Sequence, residues 1–212
     1  MSLRRRVLFV GDSITEGFGG LTSYGGFRAK LLSLRKTNGL PWRCGGGTTN
    51  MISGENRYCG GTGLTISQID ALLAIDGAQW GYDTVIAHVG TNDATQRNTG
   101  GTPTLATSQA NLTTMLDRIR TQQPNARVFF ALIIPNTTAG ADTLITAQNS
   151  AFSTQIAARS DASLITIVDH NAAFKANANW STEWMADATH PNNTGYATMA
   201  TTWVTALTAA GW

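Results

Sequence analysis

Apolar residues fall along this chain in two alternating rhythms. Short, near-continuous apolar runs occur at Val7 to Val10, Thr84 to Val89, Val128 to Ile134 and Leu164 to Val168. Such runs suit strands covered on both faces. Between them, apolar residues recur every three or four positions, the period of a helix with one buried face. Phe27, Leu31 and Leu34 make one stripe, and Ile66, Ile69, Leu72 and Leu73 a second. Leu105, Leu112, Met115, Leu116 and Ile119 make a third, and residues 141 to 159 are helical with Leu144, Ile145, Phe152 and Ile156 inward. In the last helix Tyr196, Met199, Ala200, Trp203, Val204 and Leu207 form one apolar face. Strands alternating with helices predict an α/β protein with a parallel sheet flanked by helices. A second strand belongs between Leu40 and Ile52, where Gly45-Gly46-Gly47 interrupts the pattern. No repeat or linker divides the chain, so residues 1–212 read as one domain.

Charge narrows the partners. Charged residues make up 13 % of the 212, against about 25 % in an average soluble domain. The net charge is +2, and lysine occurs only at 30, 36 and 175. The one basic run, Arg4 to Arg6, reads as a solvated terminus. No basic face interleaved with aromatics follows it, which argues against nucleic acid as a partner. No stretch approaches the roughly 18 apolar residues that span a bilayer. Only four apolar residues follow the basic start, too few for the core of a secretory signal. Abundant Thr and Asn, scarce Lys and sequon-like triplets at Asn111, Asn136, Asn179 and Asn192 nevertheless point to an extracellular protein. A cytoplasmic location is the alternative. Cys44 and Cys59 would bridge in an oxidising compartment and stay apart in a reducing one. A monomer is the expected state.

The candidate chemistry begins at Gly11-Asp12-Ser13-Ile14, directly after the first apolar run. Open α/β sheets place their ligands beyond the carboxyl ends of the strands, where Ser13 falls. A serine needs a base within hydrogen-bond reach and a third group that orients the base. The chain has three histidines. His88 lies inside a predicted strand and reads as a satisfied core or supporting group. His170 follows Asp169 at a strand end, where neighbours point to opposite faces, and reads as structural or exposed. His190 sits on a loop, three residues after Asp187 and just before Pro191, with Asn192-Asn193-Thr194 ready to cap the last helix. Asp187 and His190 alone also fit a plain surface turn; Ser13 makes them a candidate acid and base. Two further segments can aim donors at a developing oxyanion. Gly90-Thr91-Asn92-Asp93 follows the second apolar run, and Gly60-Gly61-Thr62-Gly63-Leu64-Thr65 enters a helix that Thr65 and Gln68 resemble a capping box for.

These blocks, in this order, resemble the SGNH hydrolases, or GDSL-type esterases and lipases: Gly11-Asp12-Ser13, Gly63, Gly90-Thr91-Asn92-Asp93, and Asp187 with His190. The resemblance implies a three-layer α/β/α sandwich of the flavodoxin-like kind, with five parallel strands in the order 2-1-3-4-5. It implies Ser13 as nucleophile, His190 as base and Asp187 as orienting acid. The oxyanion donors would be the Ser13 N–H, the Gly63 N–H and the Asn92 side chain. Gly63 follows from the pattern glycine, any residue, Thr or Ser; the family's usual upstream asparagine is not evident. Ser13-Ile14-Thr15-Glu16-Gly17, Tyr24-Gly25-Gly26-Phe27-Arg28, His88-Val89-Gly90 and His190-Pro191-Asn192 are similar to acetyl xylan esterases of carbohydrate esterase family three. Ala188 departs from the glycine common there. Asp12, His88 and Asp93 would then be supporting residues. The expected activity is hydrolysis of short acyl esters, chiefly O-acetyl, on polysaccharide or oligosaccharide. The alternatives are a lipase, lysophospholipase or thioesterase, and a non-catalytic carbohydrate-binding protein on the same scaffold. No cofactor and no metal is implied, since the histidines make no ligand spacing. Trp180, Trp184 and Tyr24 are either sugar platforms or packing residues.

Overall fold

A computed structural model describes residues 5–20, 25–37, 42–44, 58–76 and 81–212. Tyr24 and the glycines at 45–47 lie outside these residues, as do the side chains of Leu34 and Cys44, so the disulfide expectation is not addressed.

The strands are β1 (Arg5–Gly11), β2 (Trp42–Cys44), β3 (Tyr58–Gly60), β4 (Thr84–His88), β5 (Arg127–Leu132) and β6 (Ile165–Asp169). They form one sheet in the order β2-β1-β4-β5-β6, with β3 also pairing β1. Every pairing is parallel. β2 pairs Arg5 to Val7 and β3 pairs Phe9 to Gly11, so two short strands in tandem fill the outer position beside β1. The sheet thus has five strand positions in the order 2-1-3-4-5. The segment Gly60 onward, expected as loop, begins on the last residue of β3.

The helices are α1 (Ser13–Glu16), α2 (Gly26–Thr37), α3 (Ile66–Asp76), α4 (Thr91–Asn98), α5 (Leu105–Gln122), α6 (Ala141–Ala157), α7 (His170–Lys175), α8 (Trp180–Glu183) and α9 (Asn193–Ala209). Strand residues alternate between two faces, and each face has its own core. Leu8, Val10, Val85, Ala87, Val128 and Phe130 pack with Ile66 and Ile69 of α3, Leu112 to Ile119 of α5, and Phe152 and Ile156 of α6. Val7, Phe9, Ile86, Phe129 and Val168 pack with Phe27 and Leu31 of α2, Phe174 of α7, and Tyr196, Met199, Trp203 and Leu207 of α9. That is why β1, β4 and β5 read as apolar runs, while β6, at the sheet edge, leaves Thr166 and Ile167 half-buried. Among the described residues no helix is long and apolar enough to cross a membrane.

β1 ends at Gly11, register partner of His88 at the end of β4. The chain leaves β1 to the β2 side and later returns to the β4 side. Their following loops therefore open side by side at the point where the winding reverses, the place such sheets reserve for ligands.

Candidate active site

Ser13 is the first residue of α1, a single turn capped by Asp12, whose side chain accepts from the Ile14 N–H at 3.0 Å. As a first-turn residue, Ser13 carries an N–H with no partner inside its helix. Its Oγ lies 2.9 Å from His190 Nε2, across 177 positions of sequence. The other imidazole nitrogen, Nδ1, lies 2.8 Å from Asp187 Oδ2 and 3.1 Å from Oδ1. The structure therefore brings Ser13, His190 and Asp187 into one hydrogen-bonded chain.

The loop carrying the last two is braced on every side. Asp187 Oδ1 accepts from the backbone N–H of Thr189 and of His190, each at 2.7 Å. The Ala186 N–H donates to the His190 carbonyl at 2.8 Å, and Met185 pairs with Pro191 in an antiparallel bridge. Asn192 caps α9 by accepting from Thr194 and Gly195, while its amide donates to the Glu183 carbonyl. From the loop after β5, Asn136 donates to Thr189 Oγ1 at 3.0 Å and the Thr137 N–H donates to the Ala188 carbonyl at 3.0 Å. Two of the sequon-like asparagines are thereby accounted for as structural groups. Asn136 is 4 % exposed and Asn192 is a helix cap.

Partial burial pushes the Asp187 carboxyl upward. The Thr189 and His190 N–H groups and the imidazole outweigh this and hold it below the ordinary carboxylate value. It is therefore an anion wherever His190 needs a partner.

The donor segments meet through α4. Asn92 donates from Nδ2 to the Leu64 carbonyl at 2.9 Å, which leaves its second N–H free for another acceptor. The neighbouring Asp93 accepts from the Ile66 N–H at 3.0 Å, and Gln68 accepts from the Thr65 N–H at 2.9 Å, the return half of a capping box. Gly63 sits between these anchors at the exposed tip of a turn with φ +77°. That left-handed backbone is costly for any side-chain-bearing residue, although the space around it is open. Thr62 donates to Glu16 Oε2 at 2.7 Å, so the turn is tied to the helix of Ser13 as well. The bonds of Glu16, Thr62 and Asn136 leave no mark in the sequence, because their partners lie 46 or more positions away.

His88 lies beneath the site and differs from expectation. It is fully buried, yet neither ring nitrogen has a hydrogen-bond partner among the described residues. Its ring meets His170 at 6.2 Å, and His170, also fully buried, meets Trp203 at 4.5 Å. His88 is thus an unsatisfied core imidazole, which burial drives down to about 4. Asp12, also fully buried, moves the opposite way. Burial raises it to about 7, with Asp93 adding to the rise and the Ile14 N–H working against it.

These two groups oppose each other in stability. Folded Asp12 keeps a proton that the unfolded chain loses near pH 3.8, so its contribution drains away as pH rises toward 7. Unfolded His88 takes up a proton below about 6.5, which the folded ring resists until about 4, so its contribution drains away as pH falls. Each is worth a few kcal/mol at most, at about 1.4 kcal/mol for each pH unit separating the two states. Asp12→Asn keeps an acceptor for Ile14 and removes the first contribution alone. Thermal melts of this variant should show Tm climbing more steeply between pH 4 and 6.5 than in the wild type. Parallel curves would refute the assignment.

Trp180 and Trp184 pack against the core on the α9 side, Trp184 edge-on to Phe174 at 5.4 Å. Both remain partly exposed. The aromatic beside His190 is instead Phe18, with ring centroids 4.6 Å apart.

The hydrogen-bonded Ser13 and His190 lie at the switch point of a parallel sheet with the SGNH hydrolase fold. The chain belongs to the GDSL-like lipase/acylhydrolase family, whose profile matches residues 9–198. A search of curated protein sequences gives no match. Among solved structures, a carbohydrate esterase family 3 protein from Talaromyces cellulolyticus superposes with TM-score 0.77 at 22 % identity, covering 97 % of each chain. A family 3 carbohydrate esterase from Clostridium thermocellum gives 0.76 at 25 %, covering 96 % of this chain and 94 % of that one. A mutant of an acetyl-xylooligosaccharide esterase from Geobacillus gives 0.75 at 17 %, covering 98 % and 96 %.

Proposed function

We propose that this protein is a serine esterase that removes short acyl groups, above all acetyl, from carbohydrate. The observation that carries the reading is the unbroken line Asp187–His190–Ser13. Asp187 holds the Nδ1 proton, which leaves the Nε2 lone pair facing Ser13. As Oγ bonds to the ester carbonyl carbon, its proton passes to Nε2 and the carbonyl oxygen becomes an anion. The Ser13 N–H, the Gly63 N–H and the free hydrogen of the Asn92 amide receive that anion, each donor worth on the order of 3 kcal/mol. The bond to the alcohol oxygen then breaks while His190 returns the proton to it. Water repeats the sequence on the acyl-serine, releasing carboxylate and restoring the hydroxyl.

The carbohydrate part of the proposal is supported by the family 3 carbohydrate esterases among the similar structures. A cleft of about 360 Å³ lined by Thr65, Ser67, Gln96, Pro103, Thr104 and Asn111 includes none of Ser13, Asp187 and His190, so it adds nothing to the substrate reading. Phe18 and Ile75 are the exposed large apolar side chains among the described residues, too few to line a groove for a long acyl chain. In a series of p-nitrophenyl esters, kcat/KM should be highest for acetate and fall about tenfold or more by octanoate, since nothing rewards the added methylenes. Acetylated xylan should release acetate. A maximum at eight carbons or longer would favour a lipid substrate instead.

A further inference from the structure

Phe18 is 46 % exposed, yet its position is tightly set. Its N–H donates to the Ser13 carbonyl at 3.0 Å, and its own carbonyl accepts from the Tyr196 hydroxyl at 2.6 Å. The next residue, Gly19, has φ +88°, and a Cβ there would come within 2.9 Å of the His190 Cβ. Only glycine lets this strand of backbone lie so close against the base. Part of the Phe18 ring is spent on the imidazole, at 55° between planes. The rest is open to water, and the Ser13 hydroxyl meets the same imidazole.

We propose that this open face is the subsite for the leaving alcohol, and that it takes the apolar C–H face of a pyranose ring. The inference rests on the esterase reading and follows from the direction of proton return. The leaving oxygen must come within about 3 Å of His190 Nε2 to collect its proton. Whatever that oxygen is attached to then lies alongside the imidazole, where Phe18 stands. An aromatic ring offers a large, rigid apolar surface at little cost in side-chain entropy, since only two torsions must be fixed. Methanol as a leaving group is too small to cover it; a sugar ring is not.

The test compares two acetate esters, methyl acetate and a mono-acetylated methyl β-xyloside, on the full chain and on Phe18→Ala and Phe18→Leu. The ratio of kcat/KM for the xyloside ester to that for methyl acetate should fall about tenfold in Phe18→Ala, mainly through KM. Phe18→Leu keeps apolar bulk against His190 without the flat face, and its ratio should fall as well, with an unaltered pH profile. A ratio within about twofold of the wild type in both variants overturns the subsite. So does an equal loss on both esters with an altered pH profile, which would make Phe18 a support for His190 alone. Absence of turnover of either ester by the wild type overturns the esterase reading itself, and the subsite with it.

Discussion

Ser13→Ala is expected to lower kcat/KM for p-nitrophenyl acetate by about 10⁴-fold or more, because loss of the nucleophile leaves only binding and the oxyanion donors. The change deletes one oxygen from a side chain that is 5 % exposed, at a helix start whose cap belongs to Asp12. Alanine suits a first-turn position, and the Ser13 carbonyl that anchors Gly17 and Phe18 is untouched. The melting curve should therefore match the wild type within a few degrees, by about 1 kcal/mol or less. A folded Ser13→Ala protein that keeps a tenth of its activity would end the proposal.

Asp187→Asn should cost about 10³-fold or more in kcat, by a different route. The asparagine carbonyl can still accept from Thr189 and His190, so the loop should hold. Its amide, however, presents N–H groups to Nδ1, where the carboxylate had presented lone pairs. That reverses the tautomer: the ring proton is driven to Nε2, and the nitrogen facing Ser13 can no longer accept. Half of the Asp187 side chain faces solvent, at 48 % exposure. Water can therefore take up part of the lost role, which sets the expected cost below that of removing the nucleophile. Steady-state kinetics with thermal melts decides it. A loss below about tenfold would show that the imidazole is oriented by its loop alone.

The fold was readable where both faces of a strand are covered. β1, β4 and β5 are apolar because helices lie above and below them. The outer position beside β1 was readable only in part: Trp42–Cys44 falls within the expected 40–52, but the second piece, Tyr58–Gly60, lies beyond it. Three residues carry no period. Ser13, Asp187 and His190 stood out because each is a reactive side chain beside turn residues near the predicted end of a strand or start of a helix. Gly63 and its role came from the family resemblance, and α4 explains its placement through the bonds of Asn92 and Asp93. Phe18 was invisible. Its meaning lies in a contact with a residue at the far end of the chain, and no local pattern records it. His88 shows the converse: a strand-interior histidine reads as satisfied, yet its ring nitrogens have no hydrogen-bond partner among the described residues, and its ring meets His170.

The two side chains proposed to react lie 177 positions apart in the sequence. During synthesis Ser13 is made well before His190, which lies just ahead of α9. Until that helix docks, the emerging chain holds Ser13 without the imidazole that meets it in the fold. On the proposed function, hydrolytic competence therefore waits until α9 has been made and packed.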